Sequence, residues 1–160
     1  MKPISIIGIG SPFGADQLGW DAVHLLKKYF SQQTIDLKLI TLTTLDRPGV
    51  GLLDSMGDAD NVILIDAVKG GGKPGSIVRL QGDQIESVQS LNSTHGFGVA
   101  EALSLAHVLN KLPENLVLIG LEVGGDPEWM PSCENMQTLV EFIVREIDVG
   151  IRKPDLQALI

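Results

Sequence analysis

The chain has 160 residues, of which 44% are hydrophobic, and it carries a formal net charge of −8 at pH 7. This length and apolar content are typical of one folded domain and exclude an intrinsically disordered chain. The acidic balance, with Lys and Arg scattered along the sequence, argues against nucleic acid and anionic membranes as partners, because both bind clusters of basic side chains.

The first half of the chain alternates between strand-like and helix-like patterns. An apolar, β-branched run at 4–9 predicts a buried strand, and the helical spacing of apolar residues over 19–30 predicts a helix. The alternating residues 37–43 predict a second strand. Pro48 then opens a short helical stretch at 51–56.

The second half repeats this alternation. A continuous apolar run at 61–66 predicts a buried strand, and a glycine-rich turn leads to a further strand at 76–80, which is a candidate for an antiparallel one. A helix is predicted at 97–110 and a strand at 116–121. Pro131 is interpreted as the first residue of the last helix, whose apolar stripe consists of Met136, Leu139, Val140, Ile143, Val144 and Ile147.

Strands that alternate with helices predict an α/β fold. Parallel strands need crossover connections, and the crossovers cover both faces of the sheet. We therefore expect a three-layer α/β/α sandwich with a mostly parallel, twisted sheet, of the phosphorylase/hydrolase-like kind. Residues 1–160 are expected to form a single domain, in which the tail at 150–160 either docks or stays flexible.

Cysteine content and apolar run lengths predict the compartment. The single cysteine, Cys133, has no partner for an intrachain disulfide, which fits a reducing environment. No apolar run reaches the roughly 18 residues that a membrane-spanning helix needs, and the first residues do not resemble a secretory signal. We therefore expect a cytoplasmic protein that does not associate with membranes.

The glycine-rich turn after the first strand does not match a phosphate-binding motif. A dinucleotide fingerprint needs a third glycine where Phe13 stands, and Gly14 comes one position late. The later stretch GGGKPGS lacks the Lys-Ser/Thr step of a P-loop. We instead interpret Gly8 and Gly10 as positions where the first strand meets neighbouring backbone, so that the following loop carries Asp16 to the edge of the sheet.

Three polar side chains stand where strands end or helices begin. Asp16 follows the first strand, Asp66 ends the strand at 61–66, and His95 precedes the helix at 97–110. The carboxyl ends of parallel strands share one edge, so these side chains are expected to converge and to hold a divalent metal ion with open positions. The structural alternatives are that Asp16 caps a helix, Asp66 accepts bonds from loop amides, and His95 is an ordinary loop residue.

The other candidates point less clearly to chemistry. Cys133 lies in the first turn of a predicted helix without an evident histidine partner, so a structural or surface thiol is favoured over a nucleophile. His24 and His107 are expected to face solvent or the edge of the core. Three single acids are expected to be solvated surface residues: Asp21, Glu101 and Glu122.

Three motifs in this order carry a family resemblance. They are IIGIGSPFGADQLGWDAV at 6–23, LIDAV at 64–68 and HGFGVAEAL at 95–103. Together they resemble the maturation endopeptidases of nickel–iron hydrogenases, which typically have a G-x-G-N-x-L-x-x-D-D/E-G-x-G stretch, a strand ending in D-A, and a histidine that opens a helix. The resemblance spans residues 4–147.

The resemblance implies a function for the three polar residues. Asp16, Asp66 and His95 match the family positions that bind a metal at a nickel-recognition site, with nickel already loaded in the substrate and no tightly bound organic cofactor. The implied enzyme is an aspartyl-type endopeptidase that removes the C-terminal extension of a hydrogenase large-subunit precursor. If the ion polarises the scissile carbonyl, Asp16 is the first choice for the base that activates water.

Departures from the family pattern leave some positions open. Ser11 replaces the usual Asn, and Ala15 replaces the first acid of the pair. An alignment without a one-residue deletion would put Gln17 on the metal position, but Asp16 is preferred because Gly19 then stays in register. The family's D-G-G-T-like segment corresponds to TTLDRPG, so that its acid is either lost to Thr44 or displaced to Asp46.

Two other functions remain as alternatives. One is a non-enzymatic chaperone that uses the same ligands to deliver or check nickel. The other is a nucleotide-binding α/β domain, which the missing third glycine disfavours. The oligomeric state, the hydrogenase that is served and the cleavage site are left open.

Overall fold

The computed structural model describes residues 2–34, 37–82, 84–85 and 98–151. Within these ranges the chain forms five strands, namely β1 (Ile4–Gly10), β2 (Ile40–Asp46), β3 (Asn61–Val68), β4 (Ile77–Gln81) and β5 (Asn115–Glu122). It also forms the α-helices α1 (Leu18–Ser31), α2 (Gly51–Met56), α3 (Val99–Val108) and α4 (Cys133–Ile151). Short 3-10 helices cover Gly14–Gln17 and Leu37–Leu39.

The strands form one mixed sheet in the order β2-β1-β3-β5-β4. β1 pairs in parallel with β2 and with β3, and β3 pairs in parallel with β5. β4 pairs with β5 in the antiparallel direction, which confirms the candidate at 76–80. The four parallel strands therefore end at the same edge of the sheet.

Helices cover both faces of this sheet and create two apolar clusters. One cluster joins β-strand residues to α1 and α4, with Val23, Leu26 and Phe30 buried on α1 as their helical spacing predicts. The other joins the opposite sheet face to α2 and α3. The predicted α/β/α sandwich is thus confirmed, because both faces of the sheet lose their contact with water.

Two predicted boundaries are wrong, one because strand pairing decides it and the other because a local cap does. Residues 37–39 form a 3-10 helix, and β2 begins at Ile40, which is the first residue that pairs with β1. The last helix begins at Cys133 and not at Pro131. The Ser132 hydroxyl accepts a hydrogen bond from the Asn135 N–H at 3.1 Å, and the Asn135 side chain accepts one from the Ser132 N–H at 2.9 Å. This reciprocal cap marks the helix start.

Smaller differences concern the ends of other elements. β3 continues two residues beyond Asp66, to Val68. The predicted stripe on α4 is buried except for Val144, which is partly buried. Among the described helices, none is both long and apolar enough to span a membrane. The part of the predicted tail from residue 152 onwards lies outside the described residues, and the single domain over 1–160 stays a prediction.

Candidate functional site

A cleft of about 880 Å³ opens at the carboxyl edge of the parallel strands. We call it the strand-end cleft. Its lining comes from the ends of β1 and β3, the loops after β1, β2, β3 and β5, and the first turns of α2 and α3. Asp16 and Asp66 both line it. This is the position at which open α/β sheets commonly bind ligands.

Close backbone packing brings the loop after β1 to this edge. A Cβ atom on Gly8 would lie 2.2 Å from the Gly19 carbonyl oxygen, and one on Gly10 would lie 2.4 Å from the Asp16 carbonyl oxygen. The missing side chains therefore let α1 and the preceding 3-10 helix rest directly on β1. The interpretation of the glycines as contact positions between backbones is confirmed.

Asp16 lies in the 3-10 helix between β1 and α1 and is half-buried. Its carbonyl oxygen accepts a hydrogen bond from the Ser11 N–H at 3.3 Å, which closes the loop on itself. The N-cap of α1 is Gln17, and no side chain makes a capping hydrogen bond there. The alternative that Asp16 serves as the helix cap is therefore wrong.

Asp66 lies on β3 beside Gly120 of β5. Its Oδ1 accepts a hydrogen bond from the Ala67 N–H at 2.8 Å. Ala67 lies on β3, so this amide belongs to the strand and not, as the structural alternative expected, to a loop. Desolvation by the surrounding protein raises the pKa of Asp66 well above its ordinary value, and the charge of Asp16 raises it further, against the opposing effect of the Ala67 amide. The charge of Asp16 therefore acts on Asp66 at the cleft.

His95 lies outside the described residues. The described chain resumes at Gly98, three positions later, and both Gly98 and Val99 line the strand-end cleft. The Gly98 N–H donates a hydrogen bond to Glu101 Oε2 at 3.0 Å, which caps the start of α3 at this edge. Within the described ranges no group of three or more His, Cys, Asp and Glu side chains is arranged to hold a metal ion.

Arg47 is a cleft residue that the sequence reasoning missed. It lines the cleft together with Asp16, and its guanidinium lies 5.7 Å from the centre of the Phe13 ring. Its Nε donates a hydrogen bond to Asp46 Oδ1 at 2.6 Å. This hydrogen bond raises the pKa of Arg47 and lowers the pKa of Asp46. The charge of Asp16 raises the pKa of Arg47 further. The sequence signal for Arg47 is its position as a basic residue directly after Asp46, the acid that ends β2.

The expectation that Glu122 is a solvated surface residue is wrong. Glu122 ends β5 and is only 1% exposed. Its Oε2 accepts a hydrogen bond from the Gly70 N–H at 2.7 Å, and its Oε1 accepts one from the Gly124 N–H at 3.1 Å. Sequence reasoning missed this because only the folded chain brings both amides to the end of β5.

The remaining candidates are Cys133, His24, His107, Asp21 and Glu101, and most of them lie at the surface as expected. Cys133 is a free, exposed thiol, and His24 and His107 are exposed to solvent. Asp21 is partly buried. Glu101 is also partly buried and caps α3, so a purely solvated role is wrong for it.

The site thus combines two carboxylates with a cleft lining that contains both charged and apolar side chains. Carboxylate oxygens suit divalent ions and also activate water. The cations Arg47 and Lys69 line the same cleft, and so do the aromatic residues Phe13 and Trp129. Such a lining can hold an extended peptide next to the acids, because it offers both apolar contact and charged partners.

A family model described as "Hydrogenase maturation protease" (HycI) matches residues 21–148. This chain belongs to the hydrogenase maturation protease family. A relative from Thiocapsa roseopersicina, the hydrogenase expression/formation protein HupD, is 31% identical over 122 residues, which are 74% of this chain and 53% of the relative. The HupD of Bradyrhizobium diazoefficiens is 27% identical over 79% of this chain and 65% of its own length. This maturation protease homologue therefore spans about half to two thirds of those relatives.

Solved structures of similar proteins have the same fold. The hydrogenase maturating endopeptidase HybD from E. coli superposes with a TM-score of 0.72 over 92% of this chain and 93% of its own, at 19% sequence identity. The maturation protease HycI from Thermococcus kodakarensis gives a TM-score of 0.63 at 22% identity, over 92% of this chain and 93% of its own. At such identities the likeness supports the fold of this family member.

Proposed function

We propose that this maturation protease homologue is an endopeptidase that removes the C-terminal extension of a nickel-loaded hydrogenase large-subunit precursor. Asp16, Asp66 and His95 would recognise the nickel that the substrate carries. The observation that carries the proposal is the pair of acids at one cleft, where the charge of Asp16 acts on the desolvated Asp66. Family membership supports the choice of a hydrogenase precursor as the substrate.

The chemistry follows from the surroundings of the two acids. A carboxyl group that is desolvated beside another acid binds a cation readily, because a cation removes both the desolvation penalty and the mutual repulsion. The described chain enters the cleft three residues after His95, which supports a third ligand from that side. Nickel held there within the substrate would fix the position of the extension.

Peptide hydrolysis then needs one water and one base. Asp16 takes a proton from water, and the water oxygen forms a bond to the scissile carbonyl carbon. The C–N bond breaks, and the proton passes to the leaving amine. We assign the base to Asp16 because both acids line the cleft but desolvation raises the pKa of Asp66, so that the Asp66 carboxyl holds a proton more readily. A position in the cytoplasm and the lack of an organic cofactor remain predictions.

The test uses three substitutions that change charge or donor type but little volume. Asp16→Asn, Asp66→Asn and His95→Gln should each slow release of the extension by about 100-fold or more, the first because it removes the proposed base and the other two because each removes a proposed nickel ligand. Purified protein is mixed with purified nickel-loaded precursor, and mass spectrometry follows the extension. Circular dichroism checks that each variant is folded.

Matched controls come from exposed residues of the same types. Asp54→Asn on α2 and His107→Gln on α3 should process the precursor at the rate of the unchanged protein, since both residues are exposed and neither lines the cleft. Normal processing by all three site variants would contradict the assignment of the site. Binding of the precursor by the unchanged protein without release of the extension would favour the nickel-handling chaperone.

A further inference from the structure

Glu122 is a buried acid that the proposed chemistry does not use. Both of its carboxyl oxygens accept backbone N–H bonds, one from Gly70 and one from Gly124. Its own backbone adds two more, because its carbonyl accepts the Gly75 N–H at 2.8 Å and its N–H donates to the Ser76 carbonyl at 2.9 Å. One residue at the end of β5 thus binds two separate loops.

The two loops that Glu122 binds form one wall of the strand-end cleft. The loop after β3 contributes Lys69 to the lining, and the loop after β5 contributes Gly124, Asp126 and Trp129. The loops also touch each other, since a Cβ on Gly124 would lie 2.8 Å from Pro74 Cγ. The wall is therefore one packed unit with Glu122 behind it.

These loops are rich in glycine, which raises the conformational entropy that they lose when they become ordered. Gly71, Gly75 and Gly124 adopt positive φ values of 82°, 89° and 66°. Glycine loses more conformational freedom on folding than other residues, so a glycine-rich wall needs specific bonds to keep one shape. A buried carboxyl is itself costly unless it is hydrogen-bonded, and here both oxygens have amide partners.

We propose that Glu122 is a positioning residue that holds the two glycine-rich loops in the shape that receives the substrate peptide. This inference rests on the proposed endopeptidase function. Glu122 is not one of the two acids to which the proposed chemistry is assigned. It acts through the loop backbone, so its loss should weaken substrate binding more than it slows the chemical step.

The variant Glu122→Gln tests this directly. The side-chain amide keeps one acceptor oxygen and turns the other into a donor, which leaves one loop N–H without a partner. We expect KM for the nickel-loaded precursor to rise about tenfold with a smaller change in kcat, and hydrogen exchange at the Gly70 or Gly124 amide to accelerate. Glu141→Gln, an exposed change on α4, is the matched control and should alter neither quantity.

The outcomes separate this inference from the proposed function. Unchanged KM and unchanged exchange in Glu122→Gln would overturn the positioning role while precursor cleavage stands. If the unchanged protein releases no extension, the proposed function fails, and exchange still decides whether Glu122 anchors the loops. If Glu122→Gln does not fold, hydrogen exchange in the unchanged protein provides the test. Protection of the Gly70 and Gly124 amides supports the positioning role of Glu122. Exchange of these amides at the rate of an unstructured peptide overturns it.

Discussion

At the scale of single residues, the main feature is the electrostatic link between Asp16 and Asp66. Burial alone would raise the pKa of Asp66, but the charge of Asp16 contributes as well. The two acids come from separate elements, a 3-10 helix and a strand, and share the strand-end cleft. Their properties should therefore be coupled in a way that a substitution can reveal.

Asp16→Asn should lower the pKa of Asp66. The substitution removes one of the two causes that raise this pKa and leaves the desolvation of the Asp66 carboxyl in place, so the value should fall and still exceed that of an exposed aspartate. Carbon-13 NMR of the Asp66 carboxyl during a pH titration measures it in metal-free protein.

The control for this titration is Asp54→Asn, which removes a charge from the exposed surface of α2. It should leave the Asp66 titration where it is in the unchanged protein, because solvent screens distant surface charges. An identical Asp66 titration in Asp16→Asn and in the unchanged protein would mean that the two carboxyls do not interact.

At the scale of elements, the contact between β1 and α1 positions the site. A Cβ on Gly19 would lie 2.1 Å from the Ile9 carbonyl oxygen and 2.8 Å from that of Ile65. Helix α1 therefore begins in direct contact with two strand backbones, and the 3-10 helix that carries Asp16 lies immediately before it. The approach is possible only because this position has no side chain.

Gly19→Ala should destabilise the protein by about 3 kcal/mol or more. The atoms that a methyl group would meet are backbone carbonyls on two strands, which cannot move aside as a side chain can. In a domain of this size each kcal/mol lowers Tm by about 2–4 °C, so a calorimetric scan resolves the change.

Gly51→Ala makes the same chemical change, but we expect it to stabilise the protein and not to destabilise it. Gly51 is the first residue of α2, and nothing lies within 4 Å of an added Cβ. Alanine restricts the unfolded chain more than glycine, so this variant should gain about 0.4–1 kcal/mol. Equal Tm values for the two variants would show that the close contact between β1 and α1 is absent in solution.

At the scale of the whole molecule, periodicity predicted the layers better than the boundaries. The apolar runs identified β1, β3 and β5, because strands buried on both faces are apolar throughout. Residues 37–39 share the alternating pattern of β2 but precede Ile40, the first residue that pairs with β1, and an alternating pattern alone does not reveal a pairing register.

The residues of the candidate site also differ in how far the sequence alone predicts their position. The position of Asp16 and Asp66 at the cleft was predictable because acids that follow apolar strands stand out in the sequence. Glu122 was not predictable, since its importance depends on which loops the fold brings next to it. For Arg47 the sequence signal is a basic residue after the β2 acid, but that signal does not reveal that the side chain lines the cleft. Whether His95 joins the two acids stays a prediction, as it lies outside the described residues.

The raised pKa of Asp66 also affects the stability of the whole domain. The folded protein holds the Asp66 proton more tightly than the unfolded chain, whose aspartates titrate near 3.8. The free energy of unfolding of the unchanged protein, relative to that of Asp66→Asn, should therefore be greatest below about pH 3.8. It should fall as the pH rises from there through the raised pKa of Asp66 in the folded protein. Urea unfolding of both proteins across a pH series measures the difference, and a difference that does not vary with pH would contradict it.

The register between β3 and β5 has a consequence for how this protein can vary during evolution. Asp66 pairs with Gly120, and Val68 pairs with Glu122, so an acid of the candidate site and the proposed anchor of the cleft wall are two pairs apart on one ladder. A shift of one residue would turn every side chain of a strand to the opposite face. Insertions and deletions should accordingly accumulate in the connections between these strands, while the two strands themselves keep a constant length.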